Sequence, residues 1–282
     1  MEIRRLTRPP ALGPLFARAL VPSLDRGPAR VPAWSAQVTG IGQDAERLAE
    51  YQRVCGFDIR DAVPATWLHV LTFPLHVALL SSSDSNVRLA GVVHVSNRMR
   101  LHRAVTADEV LDLTVGIERL RPHARGALLD LVGSIRSGSD LVWEGVSTYL
   151  APGARVSGSP DAPVRSPFET VEPIAGWQLP ADLGRQYRRV SGDPNPIHTS
   201  RLAARAFGFA RPIIHGMWTH ARLLAAIESR LPSAYSAEVD FTKPILLPTT
   251  VGAWWHHDGD DWRAAVTTTD GTKPHLLMTV AP

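Results

Sequence analysis

The side chains best placed for chemistry fall in one run, Tyr187-Arg-Arg-Val-Ser-Gly-Asp-Pro-Asn-Pro-Ile-His198, which continues through Gly208-Phe209 to His215-Gly-Met-Trp-Thr219. A carboxylate (Asp193) and an imidazole (His198) this close in the chain suit proton transfer, because they bracket a single water or hydroxyl and move its proton. Gly192 supplies backbone freedom. Pro194 and Pro196 fix φ and set the residue before each of them in extended backbone, so a bend rather than a regular helix is expected between Asp193 and His198. A plainer reading stands beside this one: Asp193 caps a turn and His198 hydrogen-bonds a loop carbonyl.

The elements around this bend follow from pattern. Asp44 is placed as the N-cap of a helix running to Val54 and ended by Gly56. Longer apolar helices are expected from about Trp67 to Leu80, crossing Pro74, and from about Ile214 to Leu231. Alternating or β-branched runs predict strands at Val92–Met99, Val110–Glu118, Gly126–Ile135 and Leu141–Tyr149, then at Ala237–Lys243, Thr250–His256, Trp262–Thr268 and His275–Val280. Ser137-Gly-Ser139 and Asp258-Gly-Asp260 read as tight reversals.

Tyr51-Gln-Arg-Val-Cys-Gly-Phe57 repeats Tyr187-Arg-Arg-Val-Ser-Gly-Asp193 at an offset of 187 − 51 = 136 residues, and Gly40 and Gly176 keep it. Two copies of one α+β unit are implied, each a long helix followed by antiparallel strands. The chain divides on this reading into an irregular Pro- and Arg-rich lead-in (1–31), a first copy (32–150), a linker (151–170) and a second copy (171–282). The first copy carries Phe57 where the second has Asp193 and has no N-P-I-H, so one working site is expected.

The string Y-x-x-V-S-G-D-x-N-P-I-H followed by an apolar helix and H-G-M resembles the MaoC-like (R)-specific enoyl-thioester hydratases. The segments Pro64–Pro74, Ala127–Val132 and Val142–Thr148 resemble the actinobacterial 3-hydroxyacyl-thioester dehydratases of double hot-dog type. The resemblance implies two hot-dog folds in one chain and reversible hydration of a trans-2-enoyl thioester to the (R)-3-hydroxyacyl thioester. It implies Asp193 and His198 as the catalytic pair, Asn195 as a matched site residue, and Gly216 at the start of the central helix. The backbone N–H of Gly216 is a reasonable donor to the thioester oxygen. Ser191 and His215 support the site. Thr66, Trp67, Phe73 and Leu75 are candidates to line the acyl pocket, with ordinary core packing as the alternative. Lys243, in a segment resembling the family's strand beside the thioester, and Arg189 are candidates to meet a carrier phosphate. For Lys243 the alternative is an edge lysine that discourages strand pairing; for Arg188 and Arg189 it is a solvated helix face.

Composition narrows the classes. The formal net charge is +3 with one cysteine, which excludes an internal disulfide and a Cys-based zinc site; Cys55 reads as a buried core residue. No basic block with interleaved aromatics points to nucleic acid. No apolar run is long enough to span a bilayer, and the N-terminal stretch lacks the pattern of a secretory signal, with a transit peptide as second choice. A soluble cytoplasmic protein is expected, needing no metal or redox cofactor, with coenzyme A or an acyl carrier protein entering as part of the substrate. It would be a monomeric pseudo-dimer or a homodimer. Rival readings are a hot-dog thioesterase and a non-catalytic acyl-thioester-binding subunit. A Ser191/His198/Asp193 hydrolase is disfavoured by the crowding of its members. Metal pairs at His215/His220 or His256/His257 are disfavoured by helix and strand spacing.

Overall fold

Local signals decide the helices of this computed structural model, which describes residues 2–19, 27–87, 89, 91–160 and 167–282. The Asp44 side chain accepts from Arg47 N at 3.0 Å and opens α2 (Ala45–Cys55); Gly56, at φ 81°, closes it in the left-handed conformation that only glycine adopts without cost. Helix α3 (Ala65–Leu80) is 16 residues long, with Pro74 inside it. Leu68, Val70, Leu75, Val77, Leu79 and Leu80 are all buried, as are His69, Thr72 and His76, so no side of it is exposed. The second long helix is shorter than expected, because α6 spans Gly216–Ala226 and a separate 3-10 turn covers Glu228–Arg230. Ile213 and Ile214 do not belong to it: Ile213 forms a bridge with Leu246, and Ile214 N donates to Ile245 O at 3.0 Å.

Contacts group the chain into two units, Met1–Gln43, Leu68–Met99 and Asp108–Val164 in the first, Asp44–Trp67, Arg100–Ala107 and Arg165–Pro282 in the second. The grouping is not colinear: α2, although part of the first sequence copy, packs against α4 (Leu183–Ser191) in the second unit.

The first unit holds β1 (Glu2–Arg5), α1 (Leu12–Ala19), β2 (Trp34–Ile41), β3 (Val93–Leu101), β4 (Leu111–His123), β5 (Gly126–Ser137) and β6 (Asp140–Pro152), with strands in the order β1-β2-β4-β5-β6-β3. Strands β4, β5 and β6 form an antiparallel meander whose inward residues, Leu113, Val115, Leu129, Leu131 and Ile135, are buried. The irregular lead-in is corrected by β1, which pairs parallel with β2, and by α1. All four side chains of β1 are exposed, so no apolar alternation marked it. Backbone pairing and the Arg4 guanidinium, 4.4 Å over the Trp34 ring, hold it instead. The rest of that lead-in, residues 20–26, and residues 161–166 of the expected linker lie outside the described residues.

The second unit carries β7 (Ala175–Leu179), α4, α5 (Arg201–Ala206), α6, β8 (Tyr235–Phe241), β9 (Thr249–Asp258), β10 (Asp261–Thr267) and β11 (Pro274–Ala281). Its strands run in the order β8-β11-β10-β9-β7, and α6 packs on β10 and β11. Gly138 and Gly259, at φ 58° and 64°, turn the two tight hairpins that the sequence marked. Strand β8 stops at Phe241, short of the expected Lys243; beyond it the Thr242 and Lys243 amides both turn to the His275 carbonyl.

Candidate active site

Helix α4 buries Leu183, Tyr187, Val190 and Ser191 and leaves Arg185, Arg188 and Arg189 exposed. Gly192, at φ 76°, ends it, its N–H donating to Arg188 O at 2.8 Å. Three side chains in succession then brace the backbone two residues ahead. Ser191 Oγ accepts from Asp193 N at 3.3 Å, Asp193 Oδ1 from Asn195 N at 2.9 Å, and Asn195 Oδ1 from Ile197 N at 3.3 Å. Pro196 opens a 3-10 turn through His198, and Ser200 caps α5 by accepting from Ala203 N. The expected bend is thus built from local bonds.

His198 is 8 % exposed, and its Nδ1 lies 2.8 Å from the Ile213 carbonyl, which only accepts. Nδ1 therefore carries the hydrogen and Nε2 keeps a free lone pair, the form a proton acceptor needs. The Ile213 amide donates to Ile197 O at 3.2 Å, so the segment holding His198 is tied to the turn that presents it. Past Ile214 the chain reaches His215, whose ring stacks on His198 with centroids 3.6 Å apart and planes inclined by 25°. His215 Nε2 stands 3.8 Å from Asp193 Oδ2; the His215 side chain is 4 % exposed, and Asp193 keeps 19 %. Tyr187 packs against His215 at 4.9 Å, Tyr51 against Tyr187 at 6.1 Å, and Trp67 against Tyr51 at 5.3 Å. Gly216 starts α6 with an open N-terminus, and a Cβ there would lie 2.9 Å from the Phe241 ring.

Burial raises the Asp193 carboxyl, opposed by the His198 charge, the Asn195 N–H and Arg188. Burial lowers His198, opposed by Asp193 and the Ile213 carbonyl. The two proton affinities are pushed toward each other. His215 lies well below the ordinary imidazole range because of burial, then His198 and Arg188. It is neutral at physiological pH.

The structure brings together Ser191, Asp193, Asn195, His198, His215 and Gly216. Lys243 and Arg189 are exposed. Of the acyl-pocket candidates, all on α3, Thr66 and Trp67 are fully buried, Leu75 is buried and Phe73 half-buried. Cys55 is buried and its thiol pushed up by burial.

One oxygen of Asp193 and one ring nitrogen each of His198 and His215 lie within 4.8 Å of one another, a grouping that sequence spacing did not show.

Two supporting residues escaped the sequence reading. Gly184 lies in the first turn of α4, where an added Cβ would sit 2.1 Å from the His198 carbonyl oxygen; a glycine inside a helical pattern was the available signal. Arg47 on α2 donates from Nε to the Val190 carbonyl at 2.7 Å, with its guanidinium 5.2 Å from the Trp67 ring and its pKa lowered by burial. It carried no signal, since it resembles any exposed helix arginine.

Fold and site together define a double hot-dog protein of the α+β class whose Asp193–His198 turn is of MaoC-like sequence. Residues 151–276 match the MaoC like domain. The chain is 34 % identical over 281 residues to 3-hydroxyacyl-thioester dehydratase X of Mycobacterium tuberculosis, covering 98 % of this chain and 99 % of that one. The crystal structure of HtdX of M. tuberculosis superposes with a TM-score of 0.79 at 33 % identity, covering 88 % of this chain and 99 % of that chain. A conserved hypothetical protein of M. tuberculosis with a double hotdog fold shares the fold alone, at TM-score 0.54 and 14 % identity over 90 % of this chain and 96 % of its own. The chain belongs to the MaoC-like family that includes these dehydratases. Among the described residues no helix is long and apolar enough to cross a membrane.

Proposed function

We propose that the protein catalyses reversible hydration of trans-2-enoyl thioesters to (R)-3-hydroxyacyl thioesters in fatty-acid metabolism, dehydration being the same reaction reversed. The observation that carries this is the His198 tautomer: Nδ1–H is held by the Ile213 carbonyl, so Nε2 is free beside the half-buried Asp193 carboxylate. In the hydration direction water attacks C3 while the Asp193–His198 pair takes its proton. The π electrons move toward the thioester oxygen, where the Gly216 N–H at the start of α6 meets the developing charge. C2 then takes a proton from the pair. Atoms balance as H and OH across the double bond, with no metal or redox cofactor in the scheme.

Full-length similarity to a protein named 3-hydroxyacyl-thioester dehydratase supports the same reading. Coenzyme A or an acyl carrier protein is the substrate's carrier, with exposed Lys243 and Arg189 proposed to meet its phosphates. A cytoplasmic protein with one working site per chain, as a monomeric pseudo-dimer or a homodimer, completes the proposal.

The test is loss of conjugated-enoyl absorbance with crotonyl-, octenoyl- and dodecenoyl-coenzyme A, with chiral analysis of the product. Activity giving the (R) alcohol is expected, falling by ~10²–10⁴ in Asp193→Asn and His198→Ala. Turnover indifferent to both substitutions, or thioester hydrolysis in place of hydration, overturns the reading.

A further inference from the structure

We infer that His215 is a third catalytic residue, one that donates an imidazole N–H to the reacting oxygen and completes a three-point cradle with Asp193 and His198. This rests on the hydratase reading above and adds a role that the catalytic pair does not supply.

The first argument is geometric. Three atoms no more than 4.8 Å apart share a point within about 2.8 Å of each, the length of an ordinary hydrogen bond. One oxygen atom at that point touches all three side chains. The 3.8 Å between His215 Nε2 and Asp193 Oδ2 is too long for a direct hydrogen bond and short enough for one oxygen to span.

The second argument is one of satisfaction. Among the described residues, both ring nitrogens of His215 are buried without a hydrogen-bond partner, on a side chain 4 % exposed. An orphaned buried donor is expensive to keep, on the order of 1–3 kcal/mol, so a polar side chain held this way is matched to a ligand. Phenylalanine would fill the same stacked position against His198 and Tyr187 at no such cost.

The third argument is complementarity. Asp193 Oδ1 is already occupied by the Asn195 amide, which leaves Oδ2 as the acceptor facing His215. His198 Nε2 is also an acceptor, because its Nδ1 hydrogen is committed to Ile213 O. A water giving its two protons to these acceptors has lone pairs left, and the neutral His215 ring offers the N–H that one of them takes. The other lone pair is then aimed at C3. During hydration the C3–O bond forms, the proton leaves toward the Asp193–His198 pair, and the His215 proton stays where it is. In dehydration the same N–H holds the departing hydroxyl. Two imidazolium rings cannot coexist at a stacking distance of 3.6 Å, so His198 and His215 are not protonated together, and the proton taken from water is held once, on the pair.

The experiment compares His215→Phe, which keeps the stack and removes the donor, with His215→Gln, which restores an N–H. On an enoyl-coenzyme A substrate the Phe variant is expected to lose ~10²–10³ in kcat with KM changed by less than about threefold, and Gln to recover at least about tenfold of that loss. By calorimetry, Phe should weaken binding of (R)-3-hydroxyacyl-coenzyme A about tenfold and leave binding of the saturated acyl-coenzyme A unchanged, since only the former places an oxygen in the cradle. A folded Phe variant with parental kcat, or equal loss of both ligands, overturns the inference while the hydratase reading stands on His198→Ala. Parental activity removed by a chelator and returned by zinc overturns it in favour of a metal at the same point. A parent without hydratase activity overturns both.

Discussion

The two α-helix-to-turn segments that share a sequence pattern make a controlled comparison. Helices α2 and α4 both end at a left-handed glycine, Gly56 at φ 81° and Gly192 at φ 76°. The next residue is Phe57 in one, 8 % exposed and stacked against Tyr51, and Asp193 in the other. The next long helix begins at Ala65, after Pro64, in the first case and at Gly216, after His215, in the second, where the short α5 comes between. One backbone device has served packing and chemistry alike. What separates the outcomes is a handful of side chains and the space made for them, and fold similarity alone does not report those.

The largest effect expected from breaking this comparison is at Gly184, whose repeat equivalent is Leu48 (184 − 136 = 48). In Gly184→Ala the new Cβ collides with the His198 backbone, and kcat should fall roughly 10–100-fold, the penalty of displacing a catalytic base. Leu48→Ala, in a buried position, should cost about 3 kcal/mol of stability and leave kcat within about twofold. Equal catalytic loss in the two variants would show that Gly184 is a packing residue and nothing more.

Phe57→Asp places a carboxylate after the first glycine cap. It should destabilise the protein by about 3 kcal/mol by burying a charge where an aromatic ring was. No second activity should arise, because no N-P-I-H string follows Phe57 to supply an imidazole; hydratase activity that survives in Phe57→Asp/His198→Ala would contradict this.

Buried imidazoles give a pH test. His69 is lowered by burial to about 4, and His76, His198 and His215 are lowered as well. In each the folded state binds the proton less readily than the unfolded chain. The stability they allow is therefore fully present above the unfolded value near 6.5 and is lost as pH falls toward the folded value, at about 1.4 kcal/mol per pH unit per imidazole. His69 packs among His76 and His94 in the first unit. His69→Leu should flatten the acid slope between about pH 6 and 4.5 by about one such increment with kcat unchanged; denaturant titrations across that range would expose an unaltered slope.

The smallest effect is expected at Arg47. Arg47→Met keeps a long side chain over Trp67 but removes the hydrogen bond to Val190 O, and kcat should drop roughly threefold, in proportion to one net hydrogen bond. A drop beyond about thirtyfold would promote Arg47 from a brace to an essential support of the turn.

Much of this site was legible because its structure is local. Ser191, Asp193 and Asn195 each bond a backbone amide two residues ahead, so the string itself encodes the bend, and the glycine caps follow from residue type. The α2 boundaries were equally readable from Asp44 and Gly56. What escaped depends on contacts distant in sequence. The Ile213 carbonyl that sets the His198 tautomer, the stack of His215 on His198 and the Arg47 brace leave no trace in spacing. Strand β1 escaped for a different reason: its hold is backbone pairing, and all its side chains face solvent. The end of α6 was overextended because Ile227 and Leu231 keep an i, i+4 apolar spacing across Glu228–Arg230, where the α-helical hydrogen bonds have given way to a 3-10 turn.

Tyr51 and Tyr187 occupy the same place in the two repeats, and their rings lie 6.1 Å apart. A residue that meets its own counterpart marks a local twofold relation between α2 and α4, the geometry of a self-complementary contact. In an assembly of identical subunits every substitution at such a contact is made twice, once on each side. Written into a single chain, the two sides are inherited separately: Arg47 braces α4 while the position opposite it in the repeat is Leu183, and each half varies without imposing its change on the other.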